Sequence, residues 1–151
     1  ATAQALAGRA LHVNLPDDLP LLHLDAVLFE RVLVNLLENA AKYTPSGSAI
    51  TLGAEATTRE VSLWVDDEGP GLPEGAQERI FEKFERGSRE SSLPGVGLGL
   101  AICRAIVQAH GGRIQGSNRR AHGSIAGARF TIVLPRGEPP QDDGTGKSTT
   151  L

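Results

Sequence analysis

The 151-residue chain is 40% hydrophobic with a formal net charge of −3 at pH 7, which supplies apolar material for one globular core and no basic field for wrapping nucleic acid. Its one cysteine, Cys103, can neither close an internal disulfide nor build a Cys-based metal site, a usage that suits a reducing cytoplasm. No apolar run approaches the roughly 20 residues needed to cross a bilayer, and the opening ATAQALAGRA lacks a signal peptide's order, so a soluble segment without membrane contact is expected, whatever anchors a longer parent.

In chain order, Leu11–Leu15 alternates apolar and polar residues as a half-buried strand does, and Pro16 to Pro20 reads as a loop. Asp25 can cap a helix that runs without Gly or Pro to Tyr43, where Thr44-Pro45-Ser46-Gly47 stops it. Strands follow at Ala49–Ala56 and Val61–Val65, joined by the polar turn Thr57 to Glu60. From Glu68 to Gly99 glycines, prolines and charges surround the patch Ile80-Phe81-Glu82-Lys83-Phe84, as in a long functional loop that holds a short helix. Helical spacing returns from Leu98 to His110, and Gly111-Gly112 supplies a left-handed cap. Strands at Arg113–Ser117 and Ala128–Leu134 close a sheet. The expected domain is therefore 1–135, with 136–151 a polar, Pro/Gly-rich disordered tail. Gly146-Lys147-Ser148 in that tail imitates the end of a Walker A loop, but Gln141 stands where its leading glycine belongs.

On a helical wheel Phe29, Leu33, Leu36, Leu37 and Ala40 define the core face of the first helix. Asn35, Asn39, Lys42 and Tyr43 stack along a second stripe, because residues three and four apart are helix neighbours. Two mid-helix asparagines need a reason, since Asn is a poor helix former. A solvated face is one reason; the other is that amide oxygens coordinate Mg²⁺ while Lys42 balances phosphate charge.

After the strand Val61–Val65, Asp66-Asp67-Glu68-Gly69-Pro70-Gly71 runs an acidic pair into two glycines. A plain turn accounts for that pattern. So does a site in which Asp67 accepts a hydrogen bond from adenine's exocyclic amine while the glycines let the backbone close on the base. Gly95-Val96-Gly97-Leu98-Gly99-Leu100 leads into a helix, whose free N–H groups favour a phosphate. Its two-and-two glycine spacing is not the dinucleotide fingerprint.

In this order, Asn35-Leu36-Leu37-Glu38-Asn39-Ala40-Ala41-Lys42-Tyr43, Asp67-Glu68-Gly69-Pro70-Gly71, Ile80-Phe81-Glu82-Lys83-Phe84-Glu85-Arg86 and Gly95 to Leu100 resemble the N, G1, F and G2 boxes of sensor histidine kinases. The stretches Leu28 to Leu33 and Pro94 to Ile106 look closest to the Kdp-type potassium-sensor kinases. The resemblance implies a two-layer α/β sandwich of the Bergerat type, in which a mixed β-sheet is backed by helices and a mobile lid covers ATP. It further implies that Asn39 ligates Mg²⁺, that Asn35 and Lys42 contact ion or phosphates, and that Tyr43 packs near the adenine read by Asp67. Gly69 and Gly71 would shape the base pocket, Arg86 would approach the γ-phosphate, and Gly95, Gly97 and Gly99, with Leu98 among them, would hold the phosphates. Phe81 and Phe84 would brace the lid or simply fill the core.

Where related ATPases place a water-activating glutamate, four residues before the metal-binding Asn, this chain has Asn35, and an amide is no general base. Glu38 lies about 60° around the helix from Asn35 and is at most auxiliary. Efficient intrinsic hydrolysis is not expected. None of the four histidines, His12, His23, His110 and His122, stands in a phosphoacceptor motif, and His110 reads as a helix-end residue. The resemblance therefore implies γ-phosphate transfer to a histidine on a separate dimerisation and phosphoacceptor domain, with a cognate response regulator beyond it. This chain would then be a monomeric cytoplasmic domain, unable to autophosphorylate alone, of a homodimeric, membrane-attached parent. A nucleotide-sensing module without phosphotransfer and an anti-sigma-type serine kinase are the alternatives. Residues Leu72 to Pro94, with five Glu against one Lys and three Arg, suit a lid that orders on nucleotide.

Overall fold

The computed structural model describes residues 10–20, 22, 24–73, 75, 76, 79–82 and 96–136, with the backbone alone at 96–98. Strand β1 (Ala10–Asn14) is followed by helix α1 (Ala26–Lys42), strands β2 (Ala49–Ala56) and β3 (Glu60–Asp66), a 3₁₀ turn (Arg79–Phe81), helix α2 (Val96–Ala109), and strands β4 (Arg113–Ala121) and β5 (Ser124–Pro135). The strands form one sheet in the order β1-β2-β3-β5-β4. β1 runs parallel to β2 and the other neighbours are antiparallel, which makes the sheet mixed. Both helices contact it, α1 through β2 and β3 and α2 through β4, and they pack against each other. The expected two-layer α/β sandwich is thus what the chain forms.

The core lies between the layers. Ile50, Val61, Val65, Ile114, Phe130, Ile132 and Leu134 from the sheet meet Phe29, Val32, Leu36, Ala40, Leu100, Cys103 and Val107 from the helices. The buried arc of α1 differs from the wheel expectation: Val32 and Ala41 are buried, while Leu33 and Leu37 remain partly exposed. The reason is that α1 packs against α2 as well as the sheet, and Cys103 Sγ of α2 lies 3.7 Å from the Val32 carbonyl. The burial therefore centres between the two partners.

Local chemistry explains the element ends. Asp25 caps α1, its Oδ1 accepting from the Leu28 amide at 3.0 Å. α2 ends on Gly111 at φ +77°, with Gly111 N donating to Gln108 O at 3.0 Å and Gly112 N to Val107 O at 3.0 Å. β1 departs from expectation, since all five of its residues are exposed rather than half-buried. It is an edge strand, and Leu11 and Val13 pair with Ile50 and Leu52 at the margin of the helix layer. The hairpin β4–β5 is longer than its apolar segments suggest, because His122 (φ 53°) and Gly123 (φ 81°) form its tight turn and polar residues Asn118 to Arg120 continue the pairing.

Opposite the helices, the outer sheet face carries a polar ladder. Arg129 donates to both oxygens of the directly paired Asp66 at 2.6 and 2.8 Å, and its guanidinium lies 5.1 Å from the Trp64 ring centre. Gly53 of β2 leaves room for that indole, since a Cβ there would collide with it.

Candidate nucleotide site

Asp67 stands where β3 ends, buried to 4% exposure. Its backbone N–H donates to Ala128 O at 2.9 Å, and its Oδ1 accepts from the amides of Gly69 (2.9 Å) and Ala128 (3.0 Å). Such amide contacts fix the direction of the carboxylate. The strand partner permits this approach because residue 127 is glycine: at φ +155° a Cβ on Gly127 would collide with the Asp67 carbonyl.

The turn after Asp67 is equally tight. A Cβ on Gly69 would come 2.6 Å from the carbonyl of Tyr43, so the glycine lets this turn sit against the C-terminal end of α1. Gly71, at φ +83°, faces Asn118 Oδ1 and Ile125 Cγ2, which a Cβ would meet at 2.5 and 2.7 Å. Asp67, Gly69 and Tyr43, chosen from two separate motifs, are thereby brought together.

Two turns back along α1, near its middle, Asn35 points toward α2. Its Cγ lies 4.0 Å from where a Cβ on Gly99 would sit, and its side chain is a hydrogen-bond partner of Cys103. Burial pushes the Cys103 thiol up to about 12, against the smaller opposing effect of that Asn35 contact, so the thiol stays protonated and unreactive. α2 begins at Val96, two residues earlier than the expected Leu98, which places Gly97 and Leu98 inside the first turn with Gly99. The first four N–H groups of any α-helix lack intrahelical acceptors, and here they belong to the turn that Asn35 faces. Asn39 is partly buried and Lys42 exposed on the stripe, which advances about 12 Å from Asn35 to Tyr43. Glu38 shares an open groove with Asn35, lined also by Val27, Glu30, Arg31 and Val34. Phe81 takes the core position, 1% exposed and edge-on to Phe130 with ring centres 6.0 Å apart. Phe84, Arg86 and Gly95 lie outside the described residues, as do most of the expected lid and the residues 137–151 of the expected tail.

The described residues contain no cluster of three His, Cys, Asp or Glu able to cage a metal. An Mg²⁺ held by substrate phosphates needs no such cage, and a neutral hard oxygen such as the Asn39 amide fits it.

A family profile described as "Histidine kinase-, DNA gyrase B-, and HSP90-like ATPase" matches residues 24–138. The chain belongs to that family. Within it, the chain is an ATP-binding catalytic domain of the sensor histidine kinase kind, as the four boxes imply. The sensor protein KdpD of Escherichia coli is 50% identical over 131 residues, covering 87% of this chain and 14% of that protein. The mycobacterial sensor histidine kinase MprB superimposes with a TM-score of 0.78 at 29% identity, over 89% of this chain and 88% of that one. Full-length ShkA in complex with AMPPNP gives 0.73 at 28% identity, over 89% of this chain and 28% of that one. This histidine kinase domain thus spans a small part of its longer relatives.

Sequence reasoning missed three residues of the site. Asn118 and Arg119 of β4 hold the turn that follows Asp67, and Gly127 admits the Asp67 backbone. Gly127 offers a signal, a glycine just before the apolar run of the last strand, whereas nothing in the residue types of Asn118 and Arg119 marks them. His110 proves more than a helix end: its Nε2 accepts from the Asp25 amide at 3.1 Å, which puts the ring proton on Nδ1, 2.8 Å from Ile106 O. It joins the start of α1 to the end of α2, with its ring edge-on to Phe29 at 4.7 Å.

Proposed function

We propose that this domain binds Mg²⁺-ATP along α1 and presents the γ-phosphate to a histidine on a separate helical domain. The observation that carries the reading is the buried Asp67 carboxylate, aimed by two backbone amides beside the Tyr43 end of the same helix whose Asn35 faces the first turn of α2. An aimed acceptor suits adenine's exocyclic amine, and the free amides of a helix start suit phosphate oxygens. Gly69 and Gly71 shape the base pocket, while Gly95, Gly97, Leu98 and Gly99 form the phosphate loop. Asn39 is the Mg²⁺ ligand, and the ion, when bound, neutralises charge developing on the transferred phosphoryl group. Asn35 orients the ion and phosphates from its place against α2. Lys42, exposed on the same stripe, balances phosphate charge as a flexible ammonium, and Arg86 approaches the γ-phosphate. Phe84 braces the lid.

Asn35 also argues for transfer to an acceptor over transfer to water, because its amide cannot deprotonate a water molecule. The parent is proposed to be a membrane-attached homodimer with this domain in the cytoplasm, serving a response regulator through the phosphoacceptor domain. That ShkA, a structural neighbour, forms a complex with AMPPNP supports a nucleotide as the ligand.

The test supplies the parent's helical domain in trans with γ-labelled ATP. Label that is acid-labile and alkali-stable on the helical domain, and absent from this chain incubated alone, is expected. Acid-stable phosphoserine on a partner would favour an anti-sigma-type kinase, and nucleotide binding without any label would favour a sensing module.

A further inference from the structure

We infer that Asn118 is a positioning residue for adenine selectivity, acting through the turn that carries Asp67; the inference rests on the ATP-binding reading above. Asn118 Oδ1 accepts from the Leu72 amide at 2.6 Å, and its Nδ2 donates to the Leu72 carbonyl at 3.1 Å. Both halves of one side-chain amide thus grip both backbone groups of one residue, 46 positions away in sequence. Alanine offers neither contact, and aspartate, when ionised, offers the acceptor without the donor.

The neighbouring residue completes the grip. Arg119 Nη1 donates to the Asp67 carbonyl at 2.7 Å, and its Nε lies 3.6 Å from Asp66 Oδ2. Successive residues of a strand point to opposite faces. Asn118 pairs with buried Ala128 on the helix side, and Arg119 joins the polar ladder on the outer side. The segment 67–72 is therefore fixed at its first residue from one face and at its last from the other. Gly71 makes this possible, since any Cβ there would occupy the path between Asn118 and the Leu72 amide. A hydrogen bond to a purine amine weakens steeply with misalignment, so a turn fixed at both ends sharpens the choice of base. A fastener with no part in recognition would instead change stability and leave selectivity alone.

The experiment measures Kd for ADP and for inosine diphosphate, which lacks the exocyclic amine, with the 151-residue chain, its Asn118→Ala and Asn118→Asp variants, and Asp67→Asn as the reference for lost base reading. In Asn118→Ala the preference for ADP is expected to fall about tenfold, with inosine diphosphate affinity unchanged. Asn118→Asp, which keeps the Leu72 amide contact, is expected to fall in between and serves if the alanine variant does not fold. A folded Asn118 variant with the wild-type preference would overturn the inference while leaving the pocket intact. A wild-type chain that binds both nucleotides equally, or neither, would overturn the base reading and the inference together.

Discussion

At the end of the site proposed to hold the base, Asp67 and its turn are held by main-chain amides, a strand partner, two β4 side chains and glycines packed against other backbone. Along the stripe proposed to meet the phosphates and their ion, Asn35, Asn39 and Lys42 lie on one face of α1, and among the described residues neither Asn39 nor Lys42 enters a side-chain hydrogen bond or ion pair. The contrast follows the proposed ligand. A purine has one shape and rewards an acceptor fixed in advance, because preorganisation lowers the cost of binding. A phosphate chain with its ion differs before and after transfer, and side chains that retain rotamer freedom can follow it.

Breaking the rigid end should have the largest effect. Gly127→Ala places a Cβ against the Asp67 carbonyl at a φ that disfavours side chains, and a loss of about 3 kcal/mol in chemical unfolding is expected. An unchanged midpoint would mean that the Asp67 backbone can retreat and that the base end is less rigid than its contacts imply. On the adaptable stripe, Asn39→Ala should remove about a tenfold Mg²⁺-dependent gain in ATP-analogue affinity while leaving fold and Mg²⁺-free ADP binding intact. Equal losses with and without Mg²⁺ in calorimetric titration would assign Asn39 to nucleotide packing instead.

The smallest expected effect concerns Cys103 behind Asn35. Burial holds its thiol protonated up to about 12, whereas the unfolded chain ionises from the ordinary value of 9.0. Between those values the folded state binds the extra proton, so stability falls as pH rises through the unfolded value toward the folded one. The wild-type chain should lose about 1 kcal/mol more than Cys103→Ala between about pH 7 and about pH 9.5. Parallel pH profiles for the two proteins would show that the thiol is not sealed behind Asn35.

What the sequence revealed and what it hid divide along similar lines. Elements with strong periodicity or punctuation, such as α1 between Asp25 and Thr44 or the Gly111 cap, appear where spacing places them. Motifs that fall on one helix or one strand end, Asn35 to Tyr43 and Asp67 to Gly71, are likewise legible, because their geometry is local. The contacts that join them are not. Asn118 meets Leu72, and Gly127 meets Asp67, only through sheet pairing, and neither spacing nor residue type announces such partners. The exposed β1 shows the same limit: alternation predicts a buried face but not that the helix layer ends before reaching the strand.

The amides that aim Asp67 belong to the main chain at Gly69 and Ala128, and a substitution by any residue except proline leaves the N–H in place. Glycines 69, 71 and 127 are each confined by atoms a side chain would strike. An inhibitor that satisfied the Asp67 carboxylate through an amine like adenine's would thus meet a surface with few mutational escape routes. Resistance would have to arise at Asp67 itself, at the β4 side chains that hold its turn, or along the polar stripe of α1.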